Sequence, residues 1–173
     1  MKRSYTLVLA LMWGCRGNEK TVTAKPPRFP VTIATDHIAL VSGSVGRELM
    51  RQCSREVPPG LSNSWQATPA DLSGLDSLLP NLVQKKLADA FPVGSPFDHR
   101  KGSYYAQVAG LVRGRDRLLY INGFDASTLN DFQDSTEWRR RSIVVCDGGP
   151  GYFGVLFNPS TRRFSDFHFN GPG

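Results

Sequence analysis

Tyr104-Tyr105-Ala106-Gln107-Val108-Ala109-Gly110-Leu111-Val112-Arg113-Gly114-Arg115-Asp116-Arg117-Leu118-Leu119-Tyr120-Ile121-Asn122-Gly123-Phe124 is the stretch that decides the fold class. Two runs rich in apolar and aromatic residues, Tyr104 to Val112 and Leu118 to Phe124, flank the short polar connection Arg113 to Arg117, which predicts a β-hairpin. Downstream, Ser142 to Cys146, Tyr152 to Phe157 and Phe164 to Phe169 read as further strands. The turn signals between them are Asp147-Gly148-Gly149-Pro150-Gly151 and Asn158-Pro159-Ser160-Thr161. In the last run the apolar residues alternate only imperfectly, so the pattern alone does not assign its buried face.

Upstream of the hairpin the period is helical. Thr68-Pro69-Ala70-Asp71 offers an N-cap, a proline at the first helical position and an acidic residue three after the cap. Leu72, Leu75, Leu79, Leu82 and Leu87 then recur near helical spacing. Pro80 lacks an amide donor and crowds the preceding turn, which predicts a kink or two consecutive helices. Further upstream, Val31 to Ala34 and His37 to Val41 are short β-compatible runs. Ser44 is placed to cap a helix over Val45 to Cys53. The expected class is α+β, a kinked amphipathic helix packed on an antiparallel meander sheet of about four strands.

Met1 to Cys15 has the layout of an export signal: Lys2 and Arg3, an apolar run from Tyr5 to Trp13, then Gly14 and Cys15. That run is too short to span a bilayer. With Leu11, Gly14 and Cys15, the segment resembles the signals of bacterial lipoproteins, in which the cysteine becomes the lipid-bearing mature N-terminus. The resemblance implies a signal peptide over residues 1–14, lipidation of Cys15 and a polar, proline-rich tether over residues 15–30. A single domain would then occupy residues 31–173. Arg16, where an aspartate would mark inner-membrane retention, implies an outer-membrane anchor facing the periplasm. An ordinary signal cut after Val22-Thr23-Ala24 is the alternative, and would leave a soluble periplasmic or secreted protein.

The chain carries a net charge of +6. With Lys2 and Arg3 removed from the 21 basic residues, 19 face the 15 acidic ones, a modest +4. The one tight basic run is Arg139-Arg140-Arg141 beside Trp138, in the long connection after Phe124. Export makes nucleic acid a poor partner, whereas an acidic protein surface or anionic headgroups fit such a run. Arginine and aromatic residues are favoured anchors at protein interfaces. Trp138, Arg139, Arg140 and Arg141 are therefore the candidate binding residues, opposed by the reading that both sheet faces are packed and absorb the aromatics. Once Cys15 is assigned to lipid, Cys53 and Cys146 form an even pair. They are expected either as a disulfide or as two inert thiols.

Signals for chemistry are sparse. Asp147 among glycines could be a carboxylate beside anion-holding amides, or simply part of a turn. Asp166 and His168 would share a strand face as an acid/base pair, and Asp36/His37 and Asp98/His99 are weaker versions. No zinc, calcium, hydrolase or phosphate-binding motif is present, so neither a metal nor a cofactor is expected.

Val145-Cys146-Asp147-Gly148-Gly149, Phe153-Gly154-Val155, Asn158-Pro159-Ser160-Thr161, Phe164 and Phe169-Asn170-Gly171 resemble a C-terminal signature of uncharacterised bacterial exported proteins and lipoproteins. Tyr104 to Gly110 and Tyr120-Ile121-Asn122 resemble its upstream half. The resemblance implies a coherent domain and brings no catalytic residue. The expectation is a cell-envelope lipoprotein acting as a non-catalytic protein-binding module, such as an inhibitor or immunity factor. The alternatives are a small envelope enzyme using Asp147 or an Asp/His pair, and a passive structural component.

Overall fold

The computed structural model describes residues 30–91 and 102–171. The signal, the tether with Cys15, and the Asp98/His99 pair lie outside the described residues. In chain order the elements are β1 (Ile38–Leu40), α1 (Gly43–Leu49), β2 (Leu61–Ser64), α2 (Leu75–Ala90), β3 (Tyr104–Arg113), β4 (Asp116–Asp125), β5 (Tyr152–Asn158) and β6 (Arg163–Phe169). Short 3₁₀ turns fill several of the connections.

The hairpin is the spine. β3 and β4 pair in unbroken antiparallel register from Tyr104↔Asp125 to Arg113↔Asp116. The connection shrinks to two residues, Gly114-Arg115, with Gly114 at φ +61°, the positive φ that tight hairpin turns use and that glycine adopts without strain. β4, β5 and β6 continue the antiparallel meander. The sheet has six strands instead of about four, because β3 has a second edge. β1 lies parallel to it (Ile38↔Ala106 to Leu40↔Val108), and β2 antiparallel along its far half (Leu61↔Arg113, Ser64↔Leu111).

Ser142–Cys146, expected as a strand, is not one. Its backbone groups pair with side chains. The Ile143 amide donates to Gln107 Oε1 (3.0 Å) and the Val145 amide to Gln52 Oε1 (2.9 Å). The Ile143 carbonyl accepts from Gln52 Nε2 (2.9 Å) and Asn122 Nδ2 (3.1 Å), and the Val145 carbonyl from Asn170 Nδ2 (2.7 Å). Buried backbone polar groups must be paired, and here four amide side chains from the sheet and its flank replace a neighbouring strand.

The helix also differs from expectation. The capping box forms, Asp71 Oδ2 accepting from the Thr68 amide (2.8 Å) and hydroxyl (2.7 Å), but it caps a 3₁₀ turn over Pro69–Leu72. The chain breaks at Ser73-Gly74, and α2 then runs without interruption through Pro80. Leu75, Leu79 and Val83, four apart, are fully buried and lie on Val108, Leu119, Ile121, Phe153 and Val155 of the sheet.

Both faces of the sheet are covered, which is why so many strand aromatics can be apolar. Alternate residues meet α2 on one side and α1 with the 126–147 connection on the other. β6 keeps this phase only through a bulge. Its pairing shifts between Gly154↔His168 and Leu156↔Ser165, and Asp166 adopts φ +52°. The extra residue brings Phe164, Phe167 and Phe169 onto the α2 side together, where Phe167 stacks on Phe153 at 5.4 Å.

Candidate functional site

Trp138 is positioned by a 3₁₀ turn, Glu137–Arg139, and is 1 % exposed, set against Tyr105 and Phe124 at 5.1 and 5.8 Å. Buried Gln107 fixes the turn, its Nε2 donating to the carbonyls of Trp138 (2.5 Å) and Arg141 (2.6 Å). The indole is thus a mount and the three arginines are what it presents. Arg139 lies over the Trp138 ring (4.6 Å) and donates to the Asp36 carbonyl (2.6 Å). Arg141 meets Glu137 at 3.1 Å and Arg140 meets Asp134 at 3.8 Å. Hydrogen bonds from the Thr136 amide and hydroxyl hold the Asp134 carboxyl below the usual range. These exposed pairs contribute little to stability but neutralise much of the cluster locally.

Next to this loop lies a polar centre that no sequence motif announces. Arg55, 7 % exposed, reaches under the sheet, where among the described residues no carboxylate meets it. Its guanidinium donates to Asn122 Oδ1 (2.6 Å), Tyr120 Oη (3.0 Å) and Asn170 Oδ1 (3.1 Å), and its Nε has no acceptor. Burial lowers the Arg55 pKa, against the raising effect of Tyr120, and burial raises that of Tyr120. Asn170 Nδ2 extends the network to the Val145 and Asp147 carbonyls (2.7 and 3.1 Å). A Cys53–Cys146 disulfide clasps the same two segments across a sequence separation of 93. The one sequence signal for this centre is Asn122, an amide inside an otherwise apolar strand, as Gln107 is for the neighbouring Trp138 turn. A side chain at Gly154 would meet Arg55 and Tyr120, so the centre is filled by the protein itself and acts as a fastening.

Of the acid/base candidates, Asp36 and His37 come within 4.0 Å of each other at the surface, whereas Asp166 and His168 share no hydrogen bond or ion pair and His168 reaches the Asp166 carboxyl only through its charge. Asp166 sits in the bulge and pairs with Arg113 Nη1 at 2.8 Å, while His168 faces Gly154 in the regular ladder. Burial of the Asp166 carboxyl opposes ionisation, but hydrogen bonds from Ser165 and Arg113 and the Arg113 charge outweigh it and hold its pKa below the usual value. Asp147 is exposed, in a turn where Gly148 and Gly149 take positive φ. The Gly149 amide already donates to the Gly171 carbonyl and the Gly151 amide to the Gly148 carbonyl, so neither points at an anion. His37 stacks on Tyr105 (3.9 Å), far along the sheet from Asp166. A cavity of about 230 Å³, lined by Thr35, Ile38, Pro69, Leu72, Gly74 and Asp76, contains none of these candidates. Its carboxylate, Asp76, accepts from the Thr35 hydroxyl (3.1 Å). Among the described residues no group of three His, Cys, Asp or Glu is arranged to hold a metal ion.

No family model, no curated protein and no solved structure matches the chain.

Proposed function

We propose that this chain is a non-catalytic binding module of the bacterial cell envelope, lipid-anchored through Cys15, that engages an envelope protein as an inhibitor or immunity factor would. The observation that carries the reading is the mounting of Arg139, Arg140 and Arg141. Trp138 and Gln107 fix their backbone, and the disulfide and the Arg55 centre fasten the segment that follows. Rigid presentation lowers the ordering entropy that a contact must overcome, so a held arginine loop favours recognition over mere solvation. The enzyme alternative has less support, since Asp147 stands in an exposed turn, Asp166 is taken up by Arg113, and neither the Asp166/His168 nor the Asp36/His37 pair lines the cavity.

Cross-linking of the full chain in envelope membranes tests the proposal. A single stoichiometric partner that is lost in the Arg139→Ser/Arg140→Ser chain is expected. Absence of any partner would sink the binding reading, and the mass of the mature N-terminus decides the anchor separately. A chain beginning at acylated Cys15 is expected, and one beginning at Lys25 refutes lipidation.

A further inference from the structure

Register brings together arginines that the sequence keeps apart. Leu119↔Phe157 and Asn158↔Arg163 place the β3–β4 turn and the β5–β6 turn at the same end of the sheet, about two strand spacings or 10 Å apart. Arg113, Arg115, Arg117, Arg162 and Arg163 therefore share one rim. Among the described residues the carboxylates placed there are Asp71, Asp116 and Asp166, so five guanidiniums face three acids. The stretch Asp131 to Arg141 by contrast holds three arginines and three acids.

Two of the rim arginines are committed to polar or ring partners, and a third, Arg162, rests its guanidinium against Gly74 at the start of α2. Arg113 pairs with Asp166 and reaches Ser165 Oγ (3.4 Å). Arg117 lies over the Trp65 ring (5.4 Å), and that indole is itself fixed by donating to the Leu111 and Leu118 carbonyls (3.1 and 3.0 Å). Arg115, Arg162 and Arg163 are exposed, and among the described residues none has a carboxylate within ion-pair distance.

We infer that this rim is a second docking surface, for an acidic segment of the same partner protein whose folded body meets the 139–141 loop, a step that rests on the binding-module reading above. Three observations select that occupant. All five cations are arginine, whose planar fork pairs with carboxylates through two parallel hydrogen bonds. An arginine stacked on a fixed tryptophan is a combination characteristic of the energetic centres of protein interfaces. The described chain joins the sheet at the opposite end, where Thr32 bridges Ser103, and a ten-residue β3 separates that end from the rim by about 30 Å. The rim thus points away from the side on which the N-terminal segment attaches.

The experiment uses the full chain and a labelled ten-glutamate peptide, with vesicles rich in phosphatidylglycerol as the second arm. Arg115→Ser/Arg162→Ser/Arg163→Ser and Arg139→Ser/Arg140→Ser/Arg141→Ser remove the same charge from two places. The rim variant is expected to weaken peptide binding about tenfold and the loop variant less than about threefold, both effects fading as salt is raised. The single Arg115→Ser chain, altered only at an open turn, should show part of the loss and controls for folding. Equal losses in both triple variants, no peptide binding at low salt, or binding to vesicles alone would overturn the inference. If cross-linking captures a partner that the rim variant retains, the rim assignment fails while the binding-module reading stands.

Discussion

Substitution of Gly154 by alanine probes the polar centre directly. A Cβ there would lie 2.8 Å from Arg55 Nε, 2.9 Å from Arg55 Cζ and 2.9 Å from Tyr120 Oη, all distances that real Cβ atoms essentially never show. Overpacking a buried site by one methyl group costs about 1–3 kcal/mol when only apolar neighbours must move. Here the guanidinium that must shift carries, on its two outer nitrogens, the hydrogen bonds to Asn122, Asn170 and Tyr120. Leaving one buried acceptor unpaired costs about 1–3 kcal/mol more. The expected destabilisation is therefore about 2–6 kcal/mol, read as a lower urea midpoint with unchanged slope, under conditions that keep the disulfide intact. In an Arg55→Met background, where the flexible thioether can yield, the same substitution should cost at least about 1 kcal/mol less, a coupling that a double-mutant cycle measures. A Gly154→Ala chain within about 0.5 kcal/mol of the parent, or strictly additive substitutions, would refute the idea that Arg55 is packed against this strand.

Replacing Pro80 by alanine restores one amide donor inside α2 and is expected to raise stability by about 1–3 kcal/mol, less what the unfolded chain gains in freedom; thermal unfolding checks it, and a loss would refute the reading that the proline is merely tolerated. Because the folded pKa of Asp166 is depressed, its contribution is present above the unfolded value near pH 4 and disappears as pH falls through the folded one. Asp166→Asn, which tolerates the positive φ, should flatten the decline of urea midpoints between about pH 5 and pH 2, and an unaltered profile would contradict the Arg113 pairing. Removing the disulfide with Cys53→Ser/Cys146→Ser should cost up to about 4–5 kcal/mol by the loop-entropy relation for a separation of 93, measured by denaturation beside the parent; no measurable loss would show that the polar centre alone fastens the two segments.

The spine of the fold was legible because its information is local. The hairpin from Tyr104 to Phe124 carries its own turn, the capping box lies within Thr68 to Asp71, and the cysteine parity pointed to one bridge. What could not be read depends on partners distant in the chain. β2, Leu61-Ser62-Asn63-Ser64, has little strand propensity and exists because β3 offers it a free edge. Ile143-Val144-Val145 has strand composition, yet it lies across a face where Gln52, Gln107 and Asn170 satisfy it. The phase of β6 turns on one residue, Asp166, in a backbone region that composition does not advertise. At the site, the arginine run 139–141 was visible but not its local neutralisation, and the burial of Trp138 follows from Gln107, a polar residue on the apolar β3. The rim arginines stand in two separate hairpins, so only strand register reveals them as neighbours.

The bulge at Asp166 has an effect beyond aiming three phenylalanines. β6 closes one side of the sheet, and its outer row of amides and carbonyls would otherwise be an open invitation for the strand of another molecule. A left-handed residue in the middle of a seven-residue edge interrupts the even spacing that such zippering requires, and the charged Arg163 and Asp166 stand along it. The same single residue that sets the packing of the interior therefore also helps this chain remain separate from its own copies when many are crowded together.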